Sequence, residues 1–216
     1  MRRLYRLLLL LVMATVFYEV VPRLLPQPES PHAFGGEEVL FLQSRISSRA
    51  FDVAMVWIYS LAYVFMIYGT GIYILLRRDV PRLERYVMVF VIVQAMAMLT
   101  WWLFPVAPPR MAVEGVRGIR ESILGVSETF NPYPWGAFPS LHVANSVSAV
   151  LIIRFYGRRT LAVWLAIFIP LAFSTVYLGE HYWQDLVGGV VYSVTGYLLA
   201  GRLAGVREKR SGETRS

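Results

Sequence analysis

In this chain of 216 residues, 56% are hydrophobic and only 16% charged, well outside the roughly even apolar share and about one-quarter charged share of soluble domains. Cysteine is absent, which excludes disulfides and thiolate metal or redox chemistry, and histidine is limited to His32, His142 and His181. The net charge of +7 would suit a nucleic-acid partner, but its placement along the chain argues against one.

A hydrocarbon core of about 30 Å needs about 20 apolar residues per helix. Six segments qualify, near Leu4–Val21, Ala54–Leu76, Tyr86–Phe104, Ser140–Tyr156, Leu161–Leu178 and Leu186–Leu203. Arg2, Arg3 and Arg6 ahead of a leucine run also fit a cleaved signal peptide, but no A-x-A-type site follows, so a retained helix is the expectation. The expected fold is therefore an all-α polytopic membrane protein with six transmembrane helices. Residues 1–216 form one membrane domain, with a catalytic core over about 86–203, an external loop at 22–50 and a basic cytoplasmic tail at 204–216.

Basic residues fall into alternate compartments. One side receives Arg2, Arg3, Arg6, Arg77, Arg78, Arg82, Arg85, Arg154, Arg158, Arg159 and the tail residues Arg202, Arg207, Lys209, Arg210 and Arg215. The other holds Arg23, Arg45, Arg49, Arg110, Arg117 and Arg120. The positive-inside rule then places both termini in the cytoplasm, in a multi-pass protein of the cell membrane. Because the clusters act as topology signals, no nucleic-acid partner is expected. Trp101, Trp102, Tyr133, Trp135, Tyr182 and Trp183 gather at the non-cytoplasmic boundary, as an aromatic belt would.

Polar chemistry collects in two external segments: FPVAPPRM through NPYPWGAFPSLHVANS, and STVYLGEHYWQDLVGG. An even number of crossings separates them, so they share one side of the membrane. In the second, His181 and Asp185 are spaced i, i+4; a helix beginning near Glu180 would point both the same way. The carboxylate would orient the imidazole and leave its far nitrogen free to attack. A helix-capping acid beside an interfacial histidine has the same spacing. In the first segment, Pro139 suits the first turn of the fourth span, whose N-terminus offers N–H groups and positive dipole to a phosphate. Ser140 adds a hydroxyl and His142 a proton carrier, and Asn145 and Ser146 extend a polar stripe that would serve equally as interhelical glue. Arg110, in APPR, supplies a cation, or simply snorkels outward.

FPSLHVANS paired with STVYLGEHYWQDLVGG resembles the type 2 phosphatidic acid phosphatase superfamily. It looks closest to the branch containing fungal inositol phosphorylceramide synthase, with a PSLH-type second motif where many phosphatases have PSGH. The resemblance covers spans three to six and, through APPR, the preceding loop. It implies a six-helix core with the active site at the non-cytoplasmic face, and a two-step reaction through a phosphohistidine. His181 would be the nucleophile, Asp185 its orienting partner and His142 the general acid and base. Arg110, Ser140 and the backbone at Leu141 would hold the phosphoryl oxygens. No metal or cofactor is implied, since cations and N–H groups can stabilise the transferring group.

Two departures stand out. The third motif usually reads Ser-Arg, whereas Ser174 here precedes Thr175, and the first-motif lysine is missing. Arg117 and Arg120 are both candidates to complete the phosphate site, and Ser174 and Asn145 are further candidates. So thin a set of cations leans toward a phosphodiester or diphosphate lipid. The expected partner is thus a lipid-linked phosphate within the bilayer. Hydrolysis of a lipid phosphate or diphosphate is the first reading, and transfer of a head-group phosphoryl unit to an alcohol such as inositol is the alternative. A non-catalytic lipid carrier comes third. EEVLFLQSRISSRAF reads as an interfacial helix with Val39, Leu40, Phe41 and Leu42 dipping into lipid. Gly189, Ser193 and Gly196 mark a packing face on the sixth span.

Overall fold

The computed structural model describes residues 2–46, 48–125 and 133–213, so the VSETFNP part of the first external segment and Arg215 lie outside the described residues. Among the described residues the fold is all helical, with no sheet beyond isolated bridges joining His32 to Val106 and Val106 to Gly136. Helix α1 (Arg2–Val20) leads through a 3-10 turn (Val21–Leu24) and an extended connection to α2 (Glu37–Arg45). Helix α3 (Arg49–Trp57) runs through two π turns, Ile58–Ala62 and Phe65–Gly69, into α4 (Thr70–Leu76). Next come α5 (Val80–Leu103), the short α6 (Pro109–Ala112) and α7 (Ile119–Leu124), then α8 (Leu141–Ile153), α9 (Arg158–Tyr177) and α10 (Trp183–Glu213).

Among the described residues, four helical segments are long and apolar enough to cross a membrane: Arg49–Leu76, Val80–Leu103, Arg158–Tyr177 and Trp183–Leu203. Leu141–Tyr156 is a shorter apolar helix. Helix α1 packs against α5, with Leu11 fully buried in the main core. Several observed spans start ahead of the expected ones, because a helix ends at its caps and not where hydrophobicity stops. Thus Asp79 caps α5 by accepting from the Arg82 amide at 3.2 Å, drawing Arg82 and Arg85 into the helix. At the other extreme α10 continues as helix to Glu213, through most of the expected tail.

A π turn frees backbone carbonyls from the usual ladder, and those groups need other donors. Here the Tyr86 hydroxyl donates to the carbonyl of Ile67 at 3.0 Å, and the Thr70 hydroxyl to that of Met66 at 2.6 Å. Helix α10 is packed against both α8 and α5 through small residues. A Cβ on Gly189 would stand 2.6 Å from the Ser140 carbonyl oxygen, and Ser193 and Ser148 meet at 2.9 Å. This matches the expected packing face. Outward-facing side chains such as Leu61, Val91, Leu99, Ile169 and Leu198 remain exposed, as lipid-facing positions would be.

Helix α2 corrects the reading of a flat interfacial helix. Val39 is fully buried and Gln43 nearly so, while Phe41 is exposed. The Gln43 amide donates to the Tyr177 carbonyl at 2.9 Å and accepts from the Arg117 amide at 2.8 Å. One edge of α2 is therefore fastened to the protein, and only the other faces outward.

Candidate active site

Histidine 181 lies in the turn between α9 and α10, two residues ahead of the α10 start, and not on the helix as its spacing to Asp185 suggested. Gly179 makes this turn possible at φ +75°, and its carbonyl accepts from the Arg110 amide at 3.0 Å. The amides of Glu180 and His181 both donate to the Thr175 carbonyl at 3.1 Å, tying the turn back onto α9. Asp185 sits in the first turn of α10 and accepts from the Tyr182 amide at 2.9 Å, so the capping reading is correct. The same carboxylate oxygen also lies 3.3 Å from His181 Nδ1, so one aspartate makes both contacts.

The Ala137 carbonyl is 2.9 Å from that same Nδ1. A carbonyl can only accept, so Nδ1 carries the proton and Nε2 holds the lone pair. Tyr182 follows next; burial, reinforced by the Asp185 charge, pushes its hydroxyl up to about 12, so it stays protonated at neutral pH.

The second histidine arrives on α8. Ser140 is the N-cap, its hydroxyl accepting from the Val143 amide at 3.4 Å, and its own amide donates to the Asp185 carbonyl at 3.0 Å. Pro139 stands ahead of this cap, outside the first turn, behind a cis peptide bond with Phe138. Leu141 and His142 occupy the first turn, where backbone N–H groups have no helical acceptor. The His142 and His181 ring centroids are 5.7 Å apart. The first π turn and its sequel set Tyr59 and Tyr63 against His142, with centroid separations of 4.2 and 4.1 Å. Asn145 does not face the histidines' shared space. It is fully buried and donates to the Tyr63 hydroxyl at 2.8 Å, bracing that aromatic wall.

A cavity of about 40 Å³ lies at this junction, lined by both histidines together with Tyr59, Trp101, Tyr133, Leu141 and Glu180. Trp101, Tyr133 and Tyr182 are accordingly interior residues, whereas Trp102 and Trp183 are exposed as a belt requires.

Beside the cavity, Arg110 has a side chain only 4% exposed and lies 3.3 Å from Glu180 and 3.1 Å from Glu121. It does not snorkel. Arg120 pairs with Glu180 at 3.0 Å, with its guanidinium 5.7 Å from the Tyr59 ring centre. Arg117 instead turns outward to Asp52 at 3.2 Å with a side chain 45% exposed. Of the two arginines left open by the sequence, Arg120 is the one paired with the cavity-lining Glu180. Ser174 is buried with its hydroxyl donating to the Leu171 carbonyl at 2.7 Å, and Thr175 does the same to Ala172, so neither side chain points at the histidines. His32 stacks on Phe104 at 4.1 Å, away from the cavity. No cluster of three or more potential metal-ligating His, Cys, Asp or Glu residues occurs among the described residues.

Sequence reasoning passed over Tyr59, Tyr63, Glu180 and the Ala137 carbonyl. Glu180 carried a signal, as an acid directly before the candidate nucleophile in an apolar surround. The tyrosines carried none, because their approach depends on the π turns.

Both histidine segments fall within a match to the PAP2 superfamily over residues 29–199. The chain belongs to the PAP2 superfamily. Among curated proteins it is 41% identical over 61 residues to inositol phosphorylceramide synthase of Candida albicans, covering 28% of this chain and 13% of that one. It is 38% identical over 76 residues to lipid A 4'-phosphatase of Bacteroides thetaiotaomicron, covering 31% and 32% respectively. These matches thus span a third or less of the relatives' lengths. Among solved structures it resembles LpxE of Aquifex aeolicus with a TM-score of 0.62 and 14% identity, over 77% of this chain and 94% of that one, a likeness of fold. The family membership and that fold agree with the resemblance read from the two motifs.

Proposed function

We propose that this PAP2 protein hydrolyses a lipid-linked phosphate or diphosphate through a phosphohistidine on His181. The supporting observation is the pairing of two imidazoles, 5.7 Å apart, at one small cavity, with His181 Nδ1 turned to the Ala137 carbonyl and Asp185. Nε2 attacks phosphorus as the ester oxygen leaves with a proton from His142. Water then attacks the phosphohistidine, giving its proton to His142 and releasing the phosphate and Nε2. Arg110, Arg120, the Ser140 hydroxyl and the N–H groups at Leu141 and His142 would hold the phosphoryl oxygens. No metal is required in this scheme, so EDTA should leave activity unchanged; a clear loss would contradict it.

The local similarity to inositol phosphorylceramide synthase favours a second reading in which an alcohol replaces water as acceptor. Purified protein given a panel of lipid phosphates, diphosphates and phosphodiesters, with and without inositol, separates the two. Free phosphate marks hydrolysis and a new phospholipid marks transfer. No turnover of any substrate would leave only the lipid-carrier reading.

For topology, α1 and Leu141–Tyr156 join the four long spans to give six, with both termini cytoplasmic and the cavity at the outer face of the cell membrane. The chain has no cysteine, so single cysteines at Glu114 and Arg78 report their sides directly. A membrane-impermeant thiol reagent on intact cells should label Glu114→Cys and spare Arg78→Cys; the reverse pattern would invert the topology.

A further inference from the structure

The geometry points to Glu180 as a specificity-determining residue that offsets the charge of the phosphate-binding arginines and so weakens the site's preference for dianionic over singly charged phosphoryl groups. Glu180 is 5% exposed, lines the cavity beside both histidines, and lies within 3.3 Å of both Arg110 and Arg120. Glu121 completes the cluster at 3.1 Å from Arg110. Two arginines and two glutamates sum to zero formal charge. A phosphoryl group entering this buried place meets no net cation, and a carboxylate already occupies the reach of both guanidiniums.

Burying charge is costly unless it is compensated, and the cost rises steeply with each uncompensated unit. A dianionic monoester therefore suffers more than a singly charged diester at the same position. A carboxylate close to the phosphoryl oxygens also repels the anion directly. Specificity of this kind is negative: the site penalises the wrong charge state instead of adding contacts to the right one. The same penalty would weaken retention of inorganic phosphate. Glu180 thus explains how an arginine pair can serve transfer without trapping a dianion.

The inference rests on the phosphoryl-transfer reading for the nature of the ligand, and its test begins without turnover. Full-length protein in detergent is titrated with inorganic phosphate at about pH 8, where it is mainly dianionic, and thermal stabilisation is followed. Glu180→Gln should lower the half-effective phosphate concentration at least about tenfold relative to wild type. Glu180→Asp, which keeps the charge, should behave as wild type does. Equal or weaker phosphate binding by a folded Glu180→Gln, or a Glu180→Asp that matches Glu180→Gln, overturns the inference. If Glu180→Gln does not fold, Glu121→Gln alters the same charge sum at a position 25% exposed and should shift phosphate binding in the same direction; no shift overturns it. A second arm compares kcat/KM for a lipid phosphomonoester and a phosphodiester, whose ratio should rise toward the monoester in Glu180→Gln. Phosphate binding that changes as expected in a protein without turnover would sink the enzymatic reading while leaving the role of Glu180 intact.

Discussion

The two ends of the helical bundle use the same residue types to different effect. At the end opposite the histidines, Arg82 pairs with Asp79 in a contact where the arginine is 40% exposed, and its guanidinium also lies 5.1 Å from the Tyr156 ring. Arg85 and Arg154 both lie over the Tyr197 ring, at 3.9 and 5.3 Å from its centre. Those cations are spread over aromatic faces and water. At the histidine end, Arg110 and Arg120 are both drawn onto one buried carboxylate, Glu180, at the wall of a cavity. Surface pairs contribute little to stability, whereas a buried, compensated cluster costs desolvation and marks a site where charge is used. Desolvation, more than arginine count, separates the histidine end from the opposite one.

Mutations should divide along that line. The largest effect belongs to His181→Ala, which should abolish turnover while leaving the fold intact; activity within about tenfold of wild type would remove it as nucleophile. His142→Ala should slow the reaction by about 10²–10⁴, measured as kcat. Arg120→Gln should cost about 10² in kcat/KM, the scale of one lost oxyanion donor, whereas Arg117→Gln should leave kcat/KM within a few-fold. Equal losses for the two would erase the geometric distinction between them. Tyr63→Phe, which removes the acceptor for Asn145, should reduce kcat by less than about tenfold.

The smallest effect is expected at the opposite end. Burial pushes the Asp79 carboxyl up, but hydrogen bonds from Arg82 and Tyr156 outweigh this and hold it below the usual carboxylate range. A depressed folded-state value stabilises the protein above the unfolded pKa of about 3.9, and that stabilisation fades as pH falls through the folded value. Asp79→Asn should therefore lower Tm by a few degrees at neutral pH, with the gap closing in acid, and leave kcat unchanged. A loss of activity would mean that the two ends are coupled.

Much of the all-helical fold was legible because apolar runs of span length are strong, local signals. The site was legible where a motif kept chemistry together, as at Ser140, His142, His181 and Asp185. The choice between Arg117 and Arg120 was not, since residues three apart on a turn and short helix diverge only when that helix docks. The fates of Tyr59 and Tyr63 depended on two π turns that carry no proline and no sequence mark. Val39 was misread because an apolar edge looks alike whether it meets lipid or protein. Glu180 was in plain view as the residue before His181, but its partners Arg110 and Arg120 arrive from the long connection between α5 and α8, far earlier in the chain.

The most direct measurement of the central claim is to capture the covalent intermediate. His142→Ala protein, slowed in release, is incubated with a turned-over lipid phosphate, quenched in alkali and digested for mass spectrometry. A phosphoryl or head-group phosphoryl adduct on His181, absent from His181→Ala, is the expected result. Turnover with no adduct at His181, or an adduct on another residue, would contradict it.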